Sequence, residues 1–159
     1  MKTLIVFDSV FGNTEQVARA IGNSLGSKET VETFRVSDVQ QEHLAGLGTL
    51  IVGSPTRAFK PTKAITGFLK KIPSNGLSGV RVAAFDTRIS TADVKSRLLN
   101  LLVKLFGYAA QPIADKLEKK GGKLMVPPEG FFVKDSEGPL KDGELERAAN
   151  WAKTVLKVP

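Results

Sequence analysis

Ser9, Gly12, Asn13 and Thr14 fall within six residues, directly after an apolar run that stops at Asp8. Two hydroxyls, an amide and a flexible glycine at that spacing suit an anion. If a helix starts there, its first N–H groups lack partners within it and carry the positive end of its dipole, so a phosphate is a natural guest. A plain strand-to-helix turn capped by Ser and Thr would use the same residues. Neither common nucleotide motif is present: no Gly-Lys-Ser/Thr follows, and one glycine cannot make a dinucleotide turn. Two more polar stretches could do chemistry, Ser54-Pro55-Thr56-Arg57-Ala58-Phe59-Lys60-Pro61 and Asp86-Thr87-Arg88-Ile89-Ser90. No histidine is placed by sequence to partner Ser9, and His43 reads as a solvent-facing loop residue, so no catalytic residue is assigned. With one histidine and no cysteine, no metal ligand is assigned either.

Strands and helices must bring these stretches together. Thr3 to Phe7 is too continuously apolar to alternate, which suits a strand buried on both faces. Val17, Ile21 and Leu25 recur every fourth residue, one face of a helix. Residues 31–36 alternate like an edge strand, whereas 49–53 and 80–85 read as buried strands. A helix with Ile65, Phe68, Leu69 and Ile72 inward ends at Pro73. Residues 91–106 read as an amphipathic helix with Val94, Leu98, Leu101, Leu102 and Leu105 along one side, and 109–120 as another. A last strand starts at 123–126, is broken by Pro127-Pro128 and resumes at 131–133. The final helix, 143–156, points Leu145, Ala148, Ala149, Ala152 and Leu156 inward, with Trp151 as packing. A polar turn is expected at 26–30. Five strands alternating with helices make a three-layer α/β sheet. Ligands in such sheets bind beyond the carboxyl ends of the strands, and all three polar stretches sit at such ends.

Apolar content of 42% and charged content of 25% are those of an ordinary globular domain, and no apolar run approaches a membrane span. Met1 leads straight into the first strand, so no leader peptide is expected. The absence of cysteine points to the cytoplasm and to borrowed redox chemistry, if any. Residues 57–123 hold 14 Lys+Arg against 4 Asp+Glu, an excess that accounts for the net charge of +7. Such a surface attracts anionic partners. No nucleic-acid motif accompanies it, so nucleic acid is not the expected partner.

Ser9-Val10-Phe11-Gly12-Asn13-Thr14 resembles the flavodoxin phosphate loop, Ser/Thr-x-Thr/Ser-Gly-x-Thr. Gly53-Ser54-Pro55-Thr56-Arg57 resembles that family's second loop, Gly-x-Pro-Thr. The likeness runs through nearly the whole chain in order of elements. It implies one flavodoxin-like domain over residues 1–159: an α/β, doubly wound five-stranded parallel sheet in the order 2-1-3-4-5, helices on both faces, and non-covalent FMN. By that likeness Ser9, Val10, Phe11, Gly12, Asn13 and Thr14 hold the phosphate, Phe11 through its backbone. Ser54, Pro55, Thr56, Arg57, Ala58 and Phe59 would border the ring, with Asp86, Thr87 and Arg88 across from them. Phe11 stands where the family usually has a hydroxyl. Neither ring loop carries the usual Trp or Tyr; Phe59 is their only aromatic, and Ile89 is offered for the other face. The helix at 91–106 is longer than a plain flavodoxin needs, and its apolar stripe is expected to join the core rather than form a lid or partner surface.

The resemblance implies an FMN-binding electron carrier that docks an acidic redox protein through its basic face. One alternative is an FMN-dependent NAD(P)H:quinone oxidoreductase, for which NAD(P)H is a second partner. Another is an interaction or signalling domain that has lost FMN. Arg57, Lys60 and Arg88 are the charges expected near the ring, where cations would favour the anionic reduced form and raise its potential.

Overall fold

Lys2–Phe7 forms β1, and its side chains divide between two layers: Leu4 and Val6 pack to one side of the sheet, Ile5 and Phe7 to the other. That two-sided burial is why the run does not alternate in polarity. The structure, a computed structural model, describes residues 1–26, 30–93 and 95–157. β1 is flanked in parallel by β2 (Thr30–Arg35) and β3 (Leu47–Pro55), and β3 by β4 (Arg81–Ile89). The order is β2-β1-β3-β4-β5, as expected. Helices α1 (Asn13–Leu25) and α5 (Glu144–Leu156) cover one face, α2 (Lys63–Lys71) and α4 (Ala110–Lys119) the other. The remaining helix, α3, spans Arg97–Phe106.

Several expectations need correction. The fifth sheet position is interrupted at the two prolines, as expected, but with other bounds: β5 (Lys123–Leu124) pairs with Arg81 and Val82, and β6 (Glu129–Val133) with Phe85 to Ile89. Pro127 and Pro128 lie between them; neither has an N–H to give the ladder. β4 also runs on to Ile89 instead of ending at Phe85, because β6 supplies partners for Asp86 to Ile89. In α5, Leu145 faces solvent and Val155 is buried instead. His43 is no plain loop residue: the Gln40 backbone N–H donates to its Nδ1 at 2.9 Å, and its ring stacks on Phe34 at 4.4 Å between centroids. Trp151 is packing, edge-on to Phe85 and Phe131. The turn expected at 26–30 falls largely outside the described residues, and Val94 wholly so.

The expected helix at 91–106 is shorter and turned the other way. A single 3-10 turn covers Thr91–Asp93, and α3 begins at Arg97 because the Ser96 side chain accepts the Leu99 N–H at 3.2 Å. No residue of α3 is buried, so its apolar stripe does not join the core.

Candidate functional site

The carboxyl ends of β1, β3, β4 and β6 converge on a cleft of about 200 Å³. Its floor is the turn from β1 into α1. Gly12, at φ 90, lies in the left-handed region that a side chain resists, and the turn then enters α1 at Asn13. Ser9 Oγ accepts the Gly12 N–H at 3.1 Å and the Glu15 N–H at 3.4 Å, which curls the turn and leaves the hydroxyl proton to donate elsewhere. Among the described residues, the N–H groups of Val10, Phe11, Asn13 and Thr14 have no acceptor.

Arg35, at the end of β2, fixes this turn from outside. Its guanidinium donates to the Ser9 carbonyl at 2.8 Å and pairs with Asp8 at 3.3 Å and Glu15 at 3.2 Å. The Arg19 hydrogen bond is the strongest influence on Glu15 and, with the Arg35 charge, holds its carboxyl below the ordinary value. Across the cleft, Thr14 and Thr87 share a hydroxyl–hydroxyl bond of 2.8 Å. One proton serves both oxygens, so the second O–H stays available to a third group.

The sheet decides which side chains reach the cleft. Ser54 pairs with Asp86 and Pro55 with Thr87, and successive residues point to opposite faces. Pro55, Thr56 and Arg57 from the second stretch line the cleft, as do Thr87, Arg88 and Ile89 from the third and Ser9, Val10, Phe11, Asn13 and Thr14 from the first. Ser54 and Asp86 do not. Ser54 Oγ accepts the Thr62 N–H at 3.0 Å and is fully buried under α2. Asp86 Oδ2 accepts the Ala110 N–H at 2.8 Å, serving the start of α4. Ala58 and Phe59, both at positive φ, turn away, and Phe59 packs on Phe106 of α3 at 5.8 Å.

Arg88 is locked in place. Its Nε and Nη2 donate to Asp86 at 2.6 and 2.7 Å, and its guanidinium lies 3.7 Å from the centre of the Tyr108 ring. Burial pushes the Asp86 carboxyl upward, while the Arg88 fork and the Ala110 N–H oppose that push. Arg88 is thus a neutralised cation, unlike Arg57, which stands over the Phe11 ring at 5.8 Å with no carboxylate partner among the described residues. Burial likewise raises the Tyr108 hydroxyl.

Sequence reasoning missed the fourth wall. Val133 and Ser136 line the cleft, and Asn13 Nδ2 donates to the Glu137 carbonyl at 3.1 Å. The signal is present in the sequence: Phe131 to Val133 reads as a strand, and its carboxyl end emerges at the same edge.

Residues 4–132 match the family model described as Flavodoxin domain. A flavodoxin of Picosynechococcus sp. is 40% identical over 52 residues, which is 33% of this chain and 31% of that relative. The match therefore spans about a third of the curated relative's length. A solved flavodoxin from the domain Archaea superposes with a TM-score of 0.77 at 25% identity, covering 98% of this chain and 96% of its own. Oxidised Flavodoxin 1 from Bacillus cereus shares the fold at a TM-score of 0.78 and 18% identity, with 100% of this chain and 99% of its own aligned.

Proposed function

The chain belongs to the flavodoxin-domain family, and on that premise we propose that it is an FMN-binding electron-transfer protein. The observation that carries the reading is the set of four backbone N–H groups, at Val10, Phe11, Asn13 and Thr14, that have no acceptor among the described residues in the turn that enters α1. A phosphate monoester presents the oxygens and the negative charge that such a turn is built for. The residues present fit the group. Ser9 and the Thr14–Thr87 pair have hydroxyl protons to spare, and Phe11 contributes its N–H in place of a lost hydroxyl.

When bound, FMN supplies the redox chemistry, and the chain supplies position and field. Pro55, Ile89 and Val133 give the ring apolar walls that exclude water. The missing Trp or Tyr is not replaced by Phe59, which faces α3. Arg57, planar and without a carboxylate partner among the described residues, is the group suited to lie against a flat conjugated ring. The partner is an acidic redox protein that meets the mouth of the cleft at Arg57 and Lys60.

Titration of the purified chain with FMN, followed by quenching of flavin fluorescence, tests this. Saturation at one FMN per chain is expected. A chain that leaves flavin fluorescence unchanged at excess FMN would overturn the reading. An assay of NAD(P)H oxidation with a quinone acceptor then separates carrier from oxidoreductase; no turnover above free FMN is expected.

A further inference from the structure

We infer that α3 is a docking helix for an anionic membrane surface, lying flat on the headgroups with its leucines inserted. At about 100° per residue, Leu98, Leu101, Leu102 and Leu105 fall in one arc of the helix, with Asn100, Lys104 and Arg97 on the other. A helix on a globular core buries the apolar arc. Here the reverse holds: Leu98 is 67% exposed, Leu101 52%, Leu105 67% and Phe106 64%. The flank carrying Asn100, Val103 and the Lys104 stem faces the body of the protein, beside Thr91, Ala92 and Tyr108. Among the described residues, all the large exposed apolar side chains except Met1 and Leu145 lie on α3 or on the Val10–Phe11 turn. An apolar surface so concentrated marks a binding face.

Charge selects the occupant. Residues 94–106 contain Lys95, Arg97 and Lys104 and no acidic residue. The nearest acid, Asp93, is already paired with Lys141. Arg57 and Lys60, in the neighbouring loop that reaches α3 through Phe59 and Phe106, add two more cations. A bilayer with anionic lipid offers negative charge above and hydrocarbon below, and Arg97 and Lys104 have stems long enough to keep their charges at the headgroups while the leucines insert. A second copy of the chain fits worse. Two-fold pairing through α3 would bring like charges together, and a helix about 15 Å long offers a strip far below the roughly 800 Å² per partner of a stable interface. No described helix is long and apolar enough to cross a membrane, so the contact is one of surface.

The test is co-sedimentation of the full chain with vesicles, run with and without saturating FMN so that it stands apart from the cofactor reading. Vesicles of phosphatidylcholine with about 30 mol% phosphatidylglycerol are compared with phosphatidylcholine alone. The chain is expected to sediment with the anionic vesicles only, and less so as salt rises. The double variant Leu98→Gln/Leu105→Gln, changed at two exposed positions, should lose about tenfold or more in partitioning. Its circular dichroism and thermal midpoint should match those of the parent. Lys70→Gln/Lys119→Gln, at the opposite end of the molecule, should change partitioning by less than about twofold. A parent chain that stays in the supernatant at low salt overturns the inference and leaves the face to a protein partner. Equal binding by the leucine variant, or equal binding to neutral vesicles, overturns it as well.

Discussion

Asp86 and Arg88 lie two residues apart on one face of β4, the acid fully buried and the base 18% exposed. Removing one leaves the other stranded. Arg88→Ala should destabilise the fold by about 3–5 kcal/mol near neutral pH, measured by urea unfolding. Without the guanidinium the folded Asp86 value rises further above the unfolded one, so the deficit should grow as pH climbs above about 4 and shrink in acid. Because Arg88 is neutralised, any cationic effect on the cofactor's potential rests on Arg57. Arg57→Gln should lower the reduction potential of bound FMN by on the order of tens of millivolts, read by redox titration. An unchanged potential would return Arg57 to the role of a solvated charge. At this scale the turn from β1 into α1 was legible, since hydroxyls, amide and glycine follow directly on an apolar strand. The inward turn of Ser54 and Asp86 was not, because those residues were read as loop, where alternation gives no guidance. Arg35 was invisible for another reason: it acts on Ser9 from a different strand, 26 residues away.

Elements are held to one another by close approaches that only particular residues permit. A Cβ on Gly53 would meet the Phe85 ring at 2.0 Å, and that ring is backed by Phe131 and Trp151. Gly53→Ala should therefore cost about 1–3 kcal/mol, visible as a lower thermal midpoint. The start of α5 is fixed to β6 by Glu144, which accepts the Phe132 N–H at 2.7 Å and the Arg147 guanidinium at 2.7 Å. Burial alone would raise this carboxyl; the Arg147 and Phe132 donors and the Arg147 and Lys141 charges outweigh it and hold the value below 4.5. The stabilisation is complete above about pH 5 and is lost as pH falls through the folded value. Glu144→Gln should cost about 1–2 kcal/mol at pH 7 and flatten the acid limb of stability between about pH 5 and 3. Helix α3 shows where periodicity stops being informative. An amphipathic pattern states that one face seeks apolar company; it does not state that the company is the protein's own core.

For the molecule as a whole, the basic middle of the sequence does not form one face. Helices α2 and α4 run back from the cleft, so Lys70, Lys71, Lys119 and Lys120 gather at the amino edge of the sheet, where the Lys120 carbonyl accepts the Leu77 N–H. Lys123 starts β5 at the same edge. Arg57, Lys60, Arg97 and Lys104 lie at the other end. Nine-residue β4, at about 3.3 Å per residue, keeps the two ends roughly 26 Å apart, beyond two Debye lengths at physiological salt. Arg57→Gln/Lys60→Gln should therefore slow association with an acidic redox protein severalfold at low salt, while Lys70→Gln/Lys119→Gln leaves the rate nearly unchanged, as stopped-flow kinetics would read. Composition announced the charge, and only topology could divide it.

The clamp that Arg35 places on the Ser9 carbonyl, Asp8 and Glu15 draws wholly on groups within the chain. The turn it steadies is thus shaped before any guest arrives, and little chain entropy is surrendered on capture. Loading should then proceed as a single fast bimolecular phase paced by encounter, with no slower rearrangement trailing behind it.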